Sequence, residues 1–583
     1  MNEEKIRHQK AIALIICMFL GFMYLETIWK PYFYGKPVSQ VASNSALKDT
    51  ASKLQSSSGQ INSQATSQQL VNAQTTGVAN KNAGSKSLAT SGKNSPLDSD
   101  LKNKIKVLTK DLSVEFSLLG GRITKAEVLN YKKDLEQNTA LDLITHQEGA
   151  KYPLGVKVGK FDDAWINYEV LSPSSLRQNL AIDLRNSKET TVFLKGTLED
   201  GSTIKKKITF QPEGYLFKVE IQTDRNQPVS TYWTRFVEEE KGSRLDPYNS
   251  EGFVWREETK TQRSSFGDLE QAKELGKTNW LAIGDKYFTA ALVSPANSII
   301  RNDNKNYFAE ISNGTNNINF EVFAGPKSYN LLKKIGHDLH TNLDFGFFGI
   351  VSAPLLSLLH FFYSIFRNYG LAIVVLTILV RLAMYPLNSA SFKQMKAMQD
   401  IKPEMDRIKE KIKDKQQQQV AMMELYKKKG VNPLGGCLPV VLQMPIFIGL
   451  YAALYLSVEL RHAHFAGWIN DLSAPEKLMI TDGFGIPVLV ILFVISMILQ
   501  QWSTPTAMDP AQKKMMYIMP VVMGFMFSSF PAGLTLYWLT SNLITVGQHK
   551  ALHYSHEKNV SAFKITLAVS AVVFLIAFIF TLF

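Results

Sequence analysis

The sequence predicts a multi-pass α-helical membrane protein that carries a large β-sandwich outside the bilayer. Three observations lead there. The overall 45% hydrophobic content divides into a polar first half and a second half made of long apolar runs. Within the polar half, short alternating segments are separated by turn residues, the pattern of half-buried strands. Of the 583 residues, 64 are basic and 51 acidic, giving +13, and the basic ones gather beside the apolar runs. That placement is a cytoplasmic loop bias rather than a nucleic-acid footprint, so direct sequence-specific nucleic-acid binding is not expected.

Residues 1–10 read as a cytoplasmic N-terminus and 11–30 as a transmembrane anchor, with Lys5, Arg7 and Lys10 holding its start inside. Glu-Thr-Ile-Trp-Lys-Pro follows the apolar run where a cleaved leader would carry small residues, so the anchor is read as uncleaved. Ile15 and Ile16 before Cys17 argue against lipidation. Residues 36–100 are rich in Ser, Gln, Asn, Ala and Lys; they bury too little to offset chain entropy and read as a disordered linker. Residues 101–340 form the sandwich. Thr191 to Leu198 and Ile204 to Phe210, joined by Glu-Asp-Gly-Ser, make a hairpin, and Tyr215 to Gln222 and Tyr287 to Ser294 are further strands. The only cysteines, Cys17 and Cys437, lie in apolar segments, so the domain is not built around disulfides. His337-x-x-His340 lacks clustered partners and reads as structural, Glu238-Glu-Glu240 as a solvated surface, and no nucleophile elbow, phosphate loop or HExxH is present. No enzyme, metal or cofactor is expected.

Residues 346–366 are apolar enough to be taken for a span. If they crossed, the loop at 387–436, with eleven Lys and Arg against six acids, would face outside. The charge bias opposes that, so 346–366 is read as an interfacial amphipathic helix and 367–387 as the inward crossing. In the loop, Met398, Ile401, Met405, Ile408 and Ile412 recur at spacings of 3, 4, 3 and 4, a coiled-coil seam. Val420, Met422, Met423, Leu425 and Tyr426 supply the second limb of a cytoplasmic helical hairpin over 388–430. Its methionines either pack limb on limb or offer an adaptable apolar surface. Further spans follow at Gly435–Leu456, Ile486–Gln501, Met515–Phe530 and Leu534–Val546, and the run Ile565–Phe583 makes 563–583 an additional transmembrane helix.

Arg381 lies inside the apolar run that starts at Leu371. A cation there costs about 3 kcal/mol or more near a bilayer centre, which makes it a functional-site candidate. Thr377 one turn before and Tyr385 one turn after it share a helix face. An arginine snorkelling to the interface is the plain alternative. Gln443 between Pro439 and Pro445, and Tyr537, Ser541 and Asn542 in the last short span, imply a polar interior shared by several helices.

Leu376-Thr-Ile-Leu-Val-Arg-Leu-Ala-Met-Tyr-Pro-Leu387, Val431-Asn-Pro-Leu-Gly-Gly-Cys-Leu-Pro439, Leu442-Gln-Met-Pro-Ile-Phe447 and Phe530-Pro-Ala-Gly-Leu534 closely resemble the YidC/Oxa/Alb membrane-insertase family. The resemblance implies a five-helix insertase core over 367–550, a periplasmic β-super-sandwich and residence in the inner membrane. It implies a hydrophilic groove lined by Thr377, Arg381, Gln443 and Tyr537. Nascent membrane proteins, the Sec translocon, the ribosome (through the hairpin and inner loops) and the lipid bilayer are the implied partners. Many relatives end in a basic cytoplasmic tail, whereas this chain ends in an apolar run. A secondary transporter of a small anionic solute is the alternative function, and a membrane-anchored glycan-acting enzyme a second.

Overall fold

A computed structural model describes residues 103–582 except 136–138, 148–149, 178–180, 238–250, 433–437, 482–483, 505–509 and 559–560. The expected anchor, linker and Glu238–Glu240 run lie outside the described residues.

The outer domain is a sandwich of a 13-stranded and a 5-stranded sheet. The expected hairpin forms between Thr190–Thr197 and Thr203–Phe210, with Val192 opposite Ile208, and Leu216–Thr223 pairs on the next edge. Alternation places Val192, Leu194 and Ile208 in the core. Phe116 of the smaller sheet meets Phe210 of the larger edge to face at 5.9 Å, so aromatic rings bridge the layers. The strand Phe288–Asp303 pairs with three neighbours and anchors the large sheet.

The same alternation drives Lys206 inward, where it is fully buried. Its ammonium donates to the carbonyls of Gly120, Gly121 and Leu154 and lies 2.6 Å from the Asp163 carboxylate. Burial pulls this lysine below its ordinary value, with Asp163 opposing the shift. His337 of the weighed histidine pair sits 3.6 Å from Glu321, and His340 packs against Tyr329.

The helical half begins with α1 (Tyr329–Ile335) and α2 (Gly349–Phe366). By length and composition alone, α2 could cross a membrane. It packs on α3 (Tyr369–Ala383). Sequence reasoning carried the helix past Arg381 through Tyr385. Instead α3 stops at Ala383, and α4 (Tyr385–Asp400) leaves at 61° with Pro386 in its first turn. Proline lacks the amide a continuing helix needs but suits a helix start. Tyr385 is thereby redirected, its ring 5.1 Å from that of Phe563, and does not share the Arg381 face.

Helices α5 (Lys402–Lys411) and α6 (Lys415–Lys429) complete the hairpin. Met398, Ile401, Met405 and Ile408 pack with Met422, Leu425 and Tyr426, while Ile412 falls outside this cluster. Lys429 and Glu404 pair across the limbs at 2.5 Å. Val420 and Met423 face outward rather than into the seam.

Four core helices follow: α7 (Leu438–Leu456), α8 (Val488–Ser503), α9 (Pro510–Phe527) and α10 (Ala532–Lys558). The last outruns the expected end at Val546 because hydropathy marks where a helix loses its apolar character, not where its hydrogen-bond ladder stops. Finally, α11 (Ala562–Phe580) lies along α10 and α3. Close approach needs Gly547, where a Cβ would sit 2.4 Å from Val569 Cγ1. Gly547→Leu is therefore expected to dislodge α11. The check is a crosslink by a bismaleimide between cysteines placed at 385 and 563, whose native rings touch, which should form in the parent and fail in the variant.

Candidate functional site

The site starts from α3, whose apolar residues Leu371, Ile373, Val374 and Leu376 bury it among neighbouring helices. Arg381 rides on the same buried face and is only 8% exposed, so its charge has not reached solvent by snorkelling. Its Nε donates to Ser541 Oγ at 2.8 Å, and Nη2 donates to the same oxygen. Tyr537 is its electrostatic neighbour, and among the described residues no carboxylate pairs with it. A buried cation held by a single neutral hydroxyl keeps a strong, unspent attraction for anions.

The Tyr537 hydroxyl has Gln443 and Ser541 as hydrogen-bonding neighbours. The fold thus brings Arg381, Gln443 and Tyr537 together from three helices, α3, α7 and α10. Thr377 also points inward and is fully buried, but its hydroxyl is spent on the Ile373 carbonyl at 2.7 Å. Back-bonding of this kind satisfies the threonine within its own helix.

Ser541 is the residue that sequence reasoning noticed without assigning to the site. The signal was available, since Tyr537, Ser541, Thr545 and Gln548 follow one face of α10 at helical spacing, and all are buried. Asn542 turns toward α8 and donates to Ser496 Oγ at 3.0 Å. His549 was missed because it lies beyond the apolar stretch. Its Nδ1 is 3.2 Å from Thr504 Oγ1, and its ring packs on Phe392 at 5.0 Å. By contrast, α9 packs on α8 and turns Ile518, Val521, Val522 and Phe525 outward, the last 84% exposed.

Residues 361–559 match the family model described as 60Kd inner membrane protein, and residues 104–358 the one described as YidC periplasmic domain. A membrane protein insertase YidC from Syntrophus aciditrophicus (strain SB) is 34% identical over 481 residues, covering 78% of this chain and 85% of that relative. The chain belongs to the YidC family of membrane protein insertases. A second member, from Geotalea daltonii, is 35% identical over 477 residues, covering 77% of this chain and 86% of its own. A solved active YidC insertase with its first transmembrane domain resolved is 22% identical, with a TM-score of 0.34, covering 76% of this chain and 92% of that one. The β-sandwich is the family's periplasmic domain, and the helical half is its inner-membrane part. The last helix, α11, starts beyond the matched residues.

Proposed function

We propose that this chain inserts newly made membrane proteins into the inner membrane by giving their polar segments a berth beside Arg381. One observation carries the reading: a guanidinium buried between spans, hydrogen-bonded to a serine hydroxyl, with no described carboxylate paired to it. Cargo must move polar residues past an apolar layer of about 30 Å. Acidic residues in that segment are drawn to Arg381, and Gln443, Tyr537 and Ser541 offer hydrogen bonds on the way. The cargo's apolar helix then passes into lipid, which supplies the driving force. The outward apolar residues of α9 suit that transfer. No bond is made or broken, so no catalytic set is required.

The N-terminus lies in the cytoplasm in this reading, and α2 lies in the outer interface because the basic hairpin must stay inside. With α11 as an added span, the ribosome contact falls on the cytoplasmic hairpin. Lys409 and Lys411 of α5 and Lys427, Lys428 and Lys429 of α6 then supply the positive surface toward ribosomal RNA. The Sec translocon is a partner for larger cargo.

Proteoliposomes containing the purified chain test the reading. A single-span cargo with an acidic outer tail should become protease-protected only when the chain is present. Equal protection in empty liposomes would overturn it, and saturable uptake of a small anion without cargo insertion would favour the transporter.

A further inference from the structure

Residues 457–476, between α7 and α8, are bonded to the outer ends of α3 and α10, which carry the site, and of α8, which packs on α10. Asn368 makes the first tie. Its Oδ1 accepts the Leu371 amide at 3.0 Å and caps α3, while its Nδ2 donates to the Phe465 carbonyl at 2.8 Å. Glu476, buried, makes the second: one carboxylate oxygen accepts the Leu489 amide in the first turn of α8 at 3.0 Å, and the other accepts Trp468 Nε1. A carboxylate at that position also meets the positive end of the helix dipole. Backbone makes the third tie, as the amides of Ala532 and Gly533 at the start of α10 donate to the carbonyls of Ala474 and Leu472 at 2.8 and 2.9 Å.

Packing seals the same place. Phe465, Ile469 and Leu472 are buried, and a Cβ on Gly370 would stand 2.0 Å from the Phe465 ring. Arg461 extends the segment to the outer domain by donating to the carbonyls of Lys132 and Lys133 at 2.6 and 2.7 Å. Phe580 at the end of α11 packs on Phe465 and Trp468.

We propose that residues 457–476 are a latch that closes the insertion site on the periplasmic side, with Asn368 and Glu476 as its positioning residues. The helices so tied are those that carry Arg381, Ser541 and Ser496, so holding their outer ends together fixes the site's depth and leaves the opposite end for cargo entry. The proposal rests on the insertion site described above and names what shuts it.

Two substitutions cut the ties selectively. Asn368→Asp keeps an oxygen for the Leu371 amide, and so keeps the helix cap, but removes the donor to Phe465. Glu476→Gln keeps the volume but presents an amide NH2 to one of the two N–H donors. The reporter is a cysteine at Thr535, buried in the first turn of α10, in a full-length chain with Cys17 and Cys437 replaced. A membrane-impermeant maleimide is added to spheroplasts without cargo, with a cysteine at the exposed Lys477 as the accessible reference.

The parent should be protected relative to position 477. Each variant should label about tenfold faster, the scale of losing one hydrogen bond to a charged or tightly held group, and the double variant faster still. Outer-domain melting should stay at the parent value, which separates an opened latch from a misfolded chain. Labelling of the parent at the rate of position 477, or of the folded double variant at the parent's rate, would overturn the latch. Because labelling is read without cargo, that failure is distinct from failure of the Arg381 reading, which only insertion assays report.

Discussion

Arg381→Ala is expected to lower insertion of cargo with an acidic translocated segment by about tenfold or more, while neutral cargo changes little. Opposite charges 4 Å apart attract by about 4 kcal/mol at an effective dielectric of 20, and part of that is offset by desolvation. Even a third of it, about 1.4 kcal/mol, is a factor of ten. The buried placement of the guanidinium keeps screening low. Arg381→Lys should retain much of the function, since the charge remains. It should retain less than all of it, since a lysine cannot present the Nε and Nη2 donors that jointly hold Ser541 Oγ. Protease protection of pulse-labelled cargo in cells depleted of their own insertase checks this. Normal insertion of acidic cargo by the alanine variant would refute a role for the charge.

Asp163→Ala should destabilise the periplasmic domain by about 3–5 kcal/mol, the cost of stranding a buried charge. Asp163 accepts from the Val156 amide at 2.9 Å, from the Tyr168 hydroxyl at 2.8 Å and from Arg122 Nη2 at 3.5 Å, besides pairing with Lys206. Its loss leaves Lys206 with three carbonyls and only the more distant Asp162, itself paired with Arg122, as counter-charge. For a domain of this size the melting midpoint should fall by roughly 10 °C, read by tryptophan fluorescence of the full chain. Lys206→Met combined with Asp163→Ala should recover part of the loss, because the stranded ammonium is gone. A single variant that melts with the parent would show that the pair contributes nothing.

Much of the architecture was legible from local pattern. Alternation located the hairpin at Thr190–Phe210 within a residue or two, and the heptad spacing from Met398 to Ile408 located the hairpin seam. An arginine in an apolar run marked the site because the cost of placing it there is a property of the residue and the run alone. Pattern misled where a helix turned or outlived its apolar stretch. The bend after Ala383 took Tyr385 away from Arg381, and α10 continued to Lys558 with His549 inside the bundle. Spacing also could not tell a buried lysine from its neighbours in Lys205-Lys-Lys207, since the acid that permits burial is far away in sequence.

Composition, period and charge bias were enough to establish a membrane bundle, an outer sandwich and a cation placed where one is costly, because each depends on residues adjacent in the chain. Which groups answer that cation is a different matter. Ser541 stands 160 residues from Arg381, and Phe465 stands 97 from Asn368. Such pairings exist only after the helices pack, when distance in space replaces distance along the chain. Folding therefore decided that the guanidinium rests on a hydroxyl rather than an acid, and that the segment between α7 and α8 fastens the ends of α3, α8 and α10.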